Sequence, residues 1–315
     1  MLHSNRELFE QTVLRTADAT GIAASIIEKD YYDTEFLRKL TSYQPDIVFK
    51  GGTSLSKAYL LGNRFSEDID IAITSDSQRT DNQTKNIISR ISKVMSAGLE
   101  EVPNPATREY SKYRKAFYRY PVTTENGIIG AINPGQILLE IVSFANPYPY
   151  QKVFIKSFLT EYLENMGRND IIEAYGMQGF EIQVLAKSRT ATEKLVSLIR
   201  HSLSADYISE LKAKIRHFYD LHFLWNDPES RAYLESAEFK TDFKALISSD
   251  QARFKEPEGW CDKKVSDSPL VSSFDKVWSE LQETYSKELP ELAYQTIPSP
   301  ESVAESFKEL SVLLK

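Results

Sequence analysis

The sequence predicts an α/β (α+β) protein in two parts, a mixed-sheet core flanked by helices over residues 1–186 and a mostly helical lobe over 187–315. Three observations predict it. The stretch VFKGGTSLSKAYLLGNRFSEDIDIAI, Val48 to Ile73, reads as strand, glycine turn, helix, loop and second strand. Two more apolar runs, GQILLEIVSF at 135–144 and FEIQVLA at 180–186, add strands to it. From Lys187 onward the apolar residues recur at helical spacing almost to the end.

The N-terminal segment reads as two helices. Leu8, Phe9 and Val13 share a face, Gly21 interrupts, and Ser25 with Glu28 predicts a capping box for the second helix. In the continuing run IIEKDYYDTEFLRKL, Lys29 and Asp30 predict an ordinary helix-surface ion pair. After the strand-like Asp46-Ile47-Val48-Phe49 come Gly51 and Gly52, whose missing Cβ atoms let the chain turn sharply and let a phosphate approach the backbone. Thr53 or Ser54 is then expected to cap a helix whose N–H groups and positive dipole end face the same spot. In the strand DIDIAI, Asp68 and Asp70 leave one face with Cα atoms roughly 6.6 Å apart, while Ile69, Ile71 and Ile73 line the other. Two carboxylates so placed converge on a shared hard cation. Together these pieces predict a pocket for a nucleoside triphosphate with Mg²⁺ or Mn²⁺, and Lys57, Arg64 and Ser66 are the polar residues available for the outer phosphates.

Beyond the acidic strand, Thr80 to Leu99 predicts an amphipathic helix with Ile87, Ile91 and Val94 inward. The run 135–144 is so continuously apolar that it predicts a central strand covered on both faces, where Glu140 needs a cation or a hydrogen-bonding partner. Residues 154–175 suggest one helix. In RTATEKLVSLIRHS, 189–202, Leu195, Leu198 and Ile199 face inward and leave Lys194 on another face. Lys212, Arg216 and Asp220 recur every four residues as one polar stripe flanked by His217, with Arg216 and Asp220 spaced for an intrahelical ion pair. Between 227 and 273 the periodicity is weak, and Pro257 and Pro269 mark loops. Phe274 to Leu289 and Glu301 to Leu314 return to packing helices.

Composition limits the partners. A net charge of −7 argues against wholesale coating of nucleic acid, so any such contact must be local. The local candidates are the Lys212/Arg216 stripe and REYSKYRKAFYRY, 108–120, where Arg108, Lys112, Arg114, Lys115 and Arg119 alternate with aromatic rings. That second run reads equally well as an edge strand with a solvated basic face. A single cysteine, Cys261, excludes an intramolecular disulfide, and no apolar run approaches the roughly 18 residues of a membrane span. A cytoplasmic protein without membrane contact is the expectation.

Other phosphate or metal motifs fail on spacing. Lys57 follows Gly51-Gly52 with no second glycine before it, so there is no Walker A loop, and DIDIAITSDS lacks the glycine and distal glutamate of an EF-hand. Instead, a glycine-hydroxyl turn followed at a distance by D-x-D resembles the core motif of the DNA polymerase β-like nucleotidyltransferases. GGTSLSKAYLLGNRFSEDIDIAI as a whole is similar to the AbiEii/AbiGii toxin family within that superfamily.

The resemblance implies further roles. It makes Glu140 a third metal-binding acid beside Asp68 and Asp70, and Lys29-Asp30 part of the E-K-D-Y helix that precedes the glycine turn. T-x-x-E-K-L resembles the family's lysine motif, which implies that Lys194 contacts the phosphates, with Lys187 a weaker substitute. KIRHFYDLHFL looks like the motif built on R-D-x-x-D-L; Asp220 matches its second acid, and His217 stands where the first would be. The family's biology implies a toxin of a type IV, abortive-infection system that transfers a nucleotide to an acceptor hydroxyl, the 3′ end of tRNA above all, and is countered by a separately encoded antitoxin. Two other readings remain on the residues alone: a D-x-D metal-dependent glycosyltransferase, and a catalytically silent nucleotide- or RNA-binding protein of the same fold.

Overall fold

The structure, a computed structural model, describes residues 1–44, 46–66, 68–74, 79–96, 99–110, 112–124, 135–143 and 147–314. Glu67 of the acidic motif, residues 97–98 of the expected 80–99 helix and Phe144 at the end of the 135–144 run lie outside these. The chain divides into two compact units. Residues 1–60 and 65–185 form the first; residues 186–315 form the second, together with the short segment Leu61–Arg64.

In the first unit, α1 (Arg6–Thr20) begins at Asn5, whose side chain accepts from the Leu8 N–H, and stops at Gly21 in the left-handed conformation. The second helix, α2 (Ala24–Tyr43), starts without a side-chain cap. Its expected capping box does not form. Ser25 lies inside the helix, and Glu28, only 1% exposed, turns its carboxylate to the N–H and hydroxyl groups of both Thr123 and Thr124. The expected surface pair is also corrected: Lys29 and Asp30 are buried, Lys29 pairs with Asp33 at 3.1 Å, and Asp30 pairs with Lys57. Glu28→Gln should lower stability by at least about 2 kcal/mol in denaturant unfolding, because an amide NH₂ would face two donors that the carboxylate now accepts.

The sheet is mixed. It contains β1 (Ile47–Lys50), β2 (Asp68–Ile73), β3 (Glu100–Val102), β4 (Arg108–Tyr110), β5 (Tyr113–Arg119), β6 (Gln136–Val142), β7 (Tyr150–Ile155) and β8 (Phe180–Leu185). Their order is β3-β5-β6-β2-β1-β8-β7, with β4 pairing β5 as well. β1/β8 and β2/β6 are parallel; the other pairings are antiparallel. Strand β6 alternates half-buried and buried positions, so it has one covered face rather than two. The basic aromatic run is a hairpin, and β5 lies inside the sheet rather than at its edge. Helices α3 (Gly51–Ala58) and α4 (Asp81–Ser96) follow β1 and β2. The single helix expected over 154–175 is instead the end of β7 followed by α5 (Phe158–Asn165) and α6 (Asn169–Tyr175), parted by Gly167 at φ 69°.

The second unit is helical: α7 (Lys187–Ser202), α8 (Tyr207–Lys212), α9 (Ile215–Asn226), α10 (Pro228–Leu234), α11 (Ala237–Arg253), α12 (Pro269–Ser272), α13 (Phe274–Leu292) and α14 (Pro300–Leu313). Leu195, Leu198 and Ile199 of α7 are buried, and Phe218, Phe274, Trp278 and Phe307 form an aromatic cluster within it. Weak periodicity at 227–273 hid α10 and α11, since α11 buries only Phe239, Phe243 and Ile247, one residue per turn. The expected Lys212/Arg216/Asp220 stripe is broken, because α8 ends at Lys212 and α9 starts at Ile215. No described helix is long and apolar enough to cross a membrane.

Candidate active site

The glycine turn and the acidic strand meet as neighbours in the sheet. β1 and β2 pair antiparallel with Lys50 opposite Asp70, and β2 pairs parallel with β6 so that Asp70 lies beside Glu140. Directly paired residues share a sheet face, so Lys50, Asp70, Glu140 and, through β5, Lys115 form one row across it. Asp68 is two residues from Asp70 and points to the same side, whereas Ile69, Ile71 and Ile73 are buried on the other.

Gly51 is required here for two reasons. Its φ is +80°, a left-handed conformation that costs other residues roughly 1–2 kcal/mol. A Cβ at this position would also overlap the carboxylate of Asp70. Gly51→Ala should therefore displace Asp70 and lower nucleotide transfer on the order of a hundredfold, with only a modest fall in melting temperature. Transfer close to the wild-type rate would show that Asp70 does not need its place against the turn.

Helix α3 begins at Gly51 itself, with extended Lys50 before it and no side chain capping its N-terminus. Thr53 and Ser54 are thus not the caps the sequence suggests. The Thr53 hydroxyl donates to the Asp68 carbonyl, fastening the helix to the acidic strand, and Ser54 donates to the Gly51 carbonyl at 2.8 Å. Gly52 is the next residue of the same turn. The α3 amide end, with its positive dipole, remains the part of this turn suited to an anion.

The other expected phosphate groups are differently placed. The Lys57 side chain is buried and held by Asp30, whose second oxygen accepts from the Phe158 N–H at 2.8 Å. Ser66 is buried in the first unit. Arg64 belongs to the second unit, where its guanidinium grips Asp220 through two 2.7 Å bonds. Lys194 reaches the same carboxylate at 2.7 Å. Burial opposes ionisation of Asp220, but Arg64 and Lys194 prevail and hold its carboxyl well below the usual range. The intrahelical Arg216–Asp220 pair is therefore replaced by a buried cluster of two cations on one anion. Burial, then Lys194 and Lys214, push the His217 imidazole below its ordinary value, and neither of its forms carries the negative charge of the family's first acid. Lys187 is engaged by Asp227 and Glu229 at 2.8 and 2.7 Å.

Sequence reading missed three neighbours of the acids: Lys50, Lys115 as the partner of Glu140 at 2.7 Å, and Tyr113. Burial, then Glu140, with Asp70 and Asp68 adding, pushes the Tyr113 hydroxyl well above its ordinary value, so it stays protonated near these acids. Only strand register assembles this group. Among the described residues, no three carboxylate, imidazole or thiolate side chains gather closely enough to hold a metal by themselves. Asp68 and Asp70 nonetheless fit Mg²⁺, a hard ion that typically takes one or two protein carboxylates and completes its shell with substrate phosphates and water.

Known proteins share this architecture. No curated protein gives a significant match in sequence. The fold is similar to that of MenT4, a nucleotidyltransferase toxin from Mycobacterium tuberculosis, with a TM-score of 0.52, 18% identity, and coverage of 97% of this chain and 99% of that one. An H. pylori protein described as a candidate nucleotidyltransferase is more distant, with a TM-score of 0.35, 17% identity, and coverage of 84% and 98%. Residues 29–309 match the family described as Nucleotidyl transferase AbiEii toxin, Type IV TA system. Spanning most of the chain, that match places the protein in the AbiEii family: it is a nucleotidyltransferase toxin of a type IV toxin–antitoxin system.

Proposed function

We propose that the enzyme transfers a nucleotide from a nucleoside triphosphate to the 3′ hydroxyl of an RNA, with the acceptor end of tRNA as the first candidate, and that a separately encoded antitoxin counters it. The observation that carries this reading is the lodging of the Asp70 carboxylate against Gly51, with Asp68 on the same face and Glu140 in register beside it. A phosphate bound by the α3 amides would lie next to the acids. Mg²⁺ or Mn²⁺ would be held by Asp68 and Asp70 and would supply charge neutralisation of the triphosphate and easier ionisation of the acceptor hydroxyl; Glu140, engaged by Lys115 at 2.7 Å, would have to release that lysine to join as a third ligand.

The chain's own residues position the reactants. Thr53 ties α3 to β2, so the amide end and the two acids move as one piece. Lys115 balances the charge of Glu140. In the transfer, the acceptor oxygen bonds to the α-phosphorus, the α–β bridging bond breaks, its electron pair departs with pyrophosphate, and the hydroxyl proton passes to solvent. In the second unit, Arg64 and Lys194 share the Asp220 carboxylate, and Lys194 remains the residue that its T-x-x-E-K-L motif assigns to a phosphate.

A glycosyltransferase would leave the glycine turn without a task, and a silent protein would have no use for Asp70 against it. Incubating the pure protein with each labelled triphosphate, Mg²⁺ and either total RNA or total protein decides among these. Label is expected in RNA, and EDTA should abolish it. Label in protein would move the acceptor to a protein hydroxyl, and no transfer from any triphosphate would reject the proposal.

A further inference from the structure

Asp68, Asp70 and Glu140 have unlike neighbours on their two sides. Toward β1 lies the glycine turn. Toward β5 lies a pair of tyrosines. Lys115 is opposite Glu140, and Tyr113, two residues before it, points to the same face; Tyr110 is opposite Tyr113 in the β4–β5 pairing and shares that face too. Their ring centroids are 6.3 Å apart with planes 30° from parallel. Tyr110 is 62% exposed, and Tyr113 is half-buried.

The cations around these rings are already engaged. Lys112 pairs with Asp81, Arg114 with Glu101 and Glu109, Lys115 with Glu140, and Arg119 with Glu100. Arg108 donates to the carbonyls of Pro105 and Thr107. What this surface presents to a nucleic acid is therefore mainly aromatic area, with Arg108, held by neutral carbonyls, adding positive charge beside it.

We propose that Tyr110 and Tyr113 form the stacking platform for the terminal base of a single-stranded RNA acceptor, positioning its terminal hydroxyl toward the acids. This rests on the proposed nucleotidyl transfer with the triphosphate at the glycine turn. Attacking and leaving oxygens lie roughly in line through the α-phosphorus. With the pyrophosphate end at the β1 side and the acids on β2 and β6, the attacking hydroxyl enters from the β5 side. Three strand spacings, roughly 14 Å, separate β1 from β5, which is room for a phosphoryl group and a ribose between the turn and the rings. Stacking tolerates any base, so the platform positions the acceptor's end without selecting its sequence.

The test uses the full chain and a short single-stranded ribo-oligonucleotide with 2-aminopurine as its 3′-terminal base, whose fluorescence falls on stacking. Wild type should quench it. Tyr110→Ala and Tyr113→Leu should each relieve the quench and weaken oligonucleotide binding roughly 5- to 150-fold, the range for a lost stacked base. Tyr113→Phe, which keeps the ring, should bind within about twofold of wild type. Triphosphate affinity measured without RNA should also stay within about twofold in all three. Tyr110 is so exposed that its variant tests the proposal even if Tyr113→Leu proves unstable. Absence of quenching by wild type, unchanged binding by Tyr110→Ala, or a matching loss of triphosphate affinity, which would give the rings to the donor base, each overturns it. Asp70→Asn separates the two readings, because it should stop transfer while leaving the quench intact. Transfer to protein by an enzyme that ignores the oligonucleotide would keep the nucleotidyltransferase reading and reject the platform.

Discussion

Asp68→Asn and Asp70→Asn are each expected to lower nucleotidyl transfer about a thousandfold while leaving the melting temperature nearly unchanged. Asparagine keeps the shape of the side chain, so the strand pairing of β2 and its buried isoleucines should survive. What is lost is an anionic oxygen at the point where charge on the triphosphate must be balanced, worth about 4 kcal/mol in the transition state. Steady-state transfer with saturating Mg²⁺ measures it. Activity within about tenfold of wild type for either variant would remove that residue from the metal site. Glu140→Gln should have a smaller effect, because its carboxylate is already shared with Lys115.

The largest stability effect is expected at Asp220. Arg64, Lys194 and Asp220 are all buried, and removing the carboxylate takes from both cations, in a low-dielectric setting, the counter-charge they share. Asp220→Asn should destabilise the second unit by about 3–5 kcal/mol, read as a lower denaturant midpoint. The pH dependence has a definite sign. Arg64 and Lys194 hold the folded carboxyl below its ordinary value, so the Asp220 contribution is complete above an unfolded pKa of about 4 and is lost as pH falls below it. Wild type should therefore lose stability between about pH 4 and pH 2 through a component that Asp220→Asn lacks. Equal acid sensitivity in the two proteins would show that this cluster does not govern acid unfolding.

The ion pairs of the basic aromatic hairpin bear on how it would meet a phosphate. Each paired cation there would have to give up a carboxylate to take a phosphate, so replacing Arg114 or Lys115 would first disturb Glu101, Glu109 or Glu140. RNA recognition by this hairpin should accordingly depend only weakly on salt, which a binding titration over increasing salt would measure.

By itself the sequence determined the features that depend on chain neighbours. The two-residue alternation of DIDIAI put Asp68 and Asp70 on one face, Gly21 ended α1, and Gly51 marked a turn that no side chain could occupy. Tertiary structure decided the partners. Glu140 meets Asp70 and Lys115 through strand register, which a period-two pattern leaves open by any even shift. Arg64 and Asp220 are 156 residues apart and meet because Leu61–Arg64 packs with the helical unit, so the guanidinium that reads as part of the glycine-turn segment serves a different carboxylate. Glu28 reads as half of a capping box and Lys29 with Asp30 as a surface pair, yet each is buried against a specific partner. Local propensity reports how a segment folds; burying a charge requires a counter-charge or a set of donors, and only packing of distant segments decides which residue supplies it.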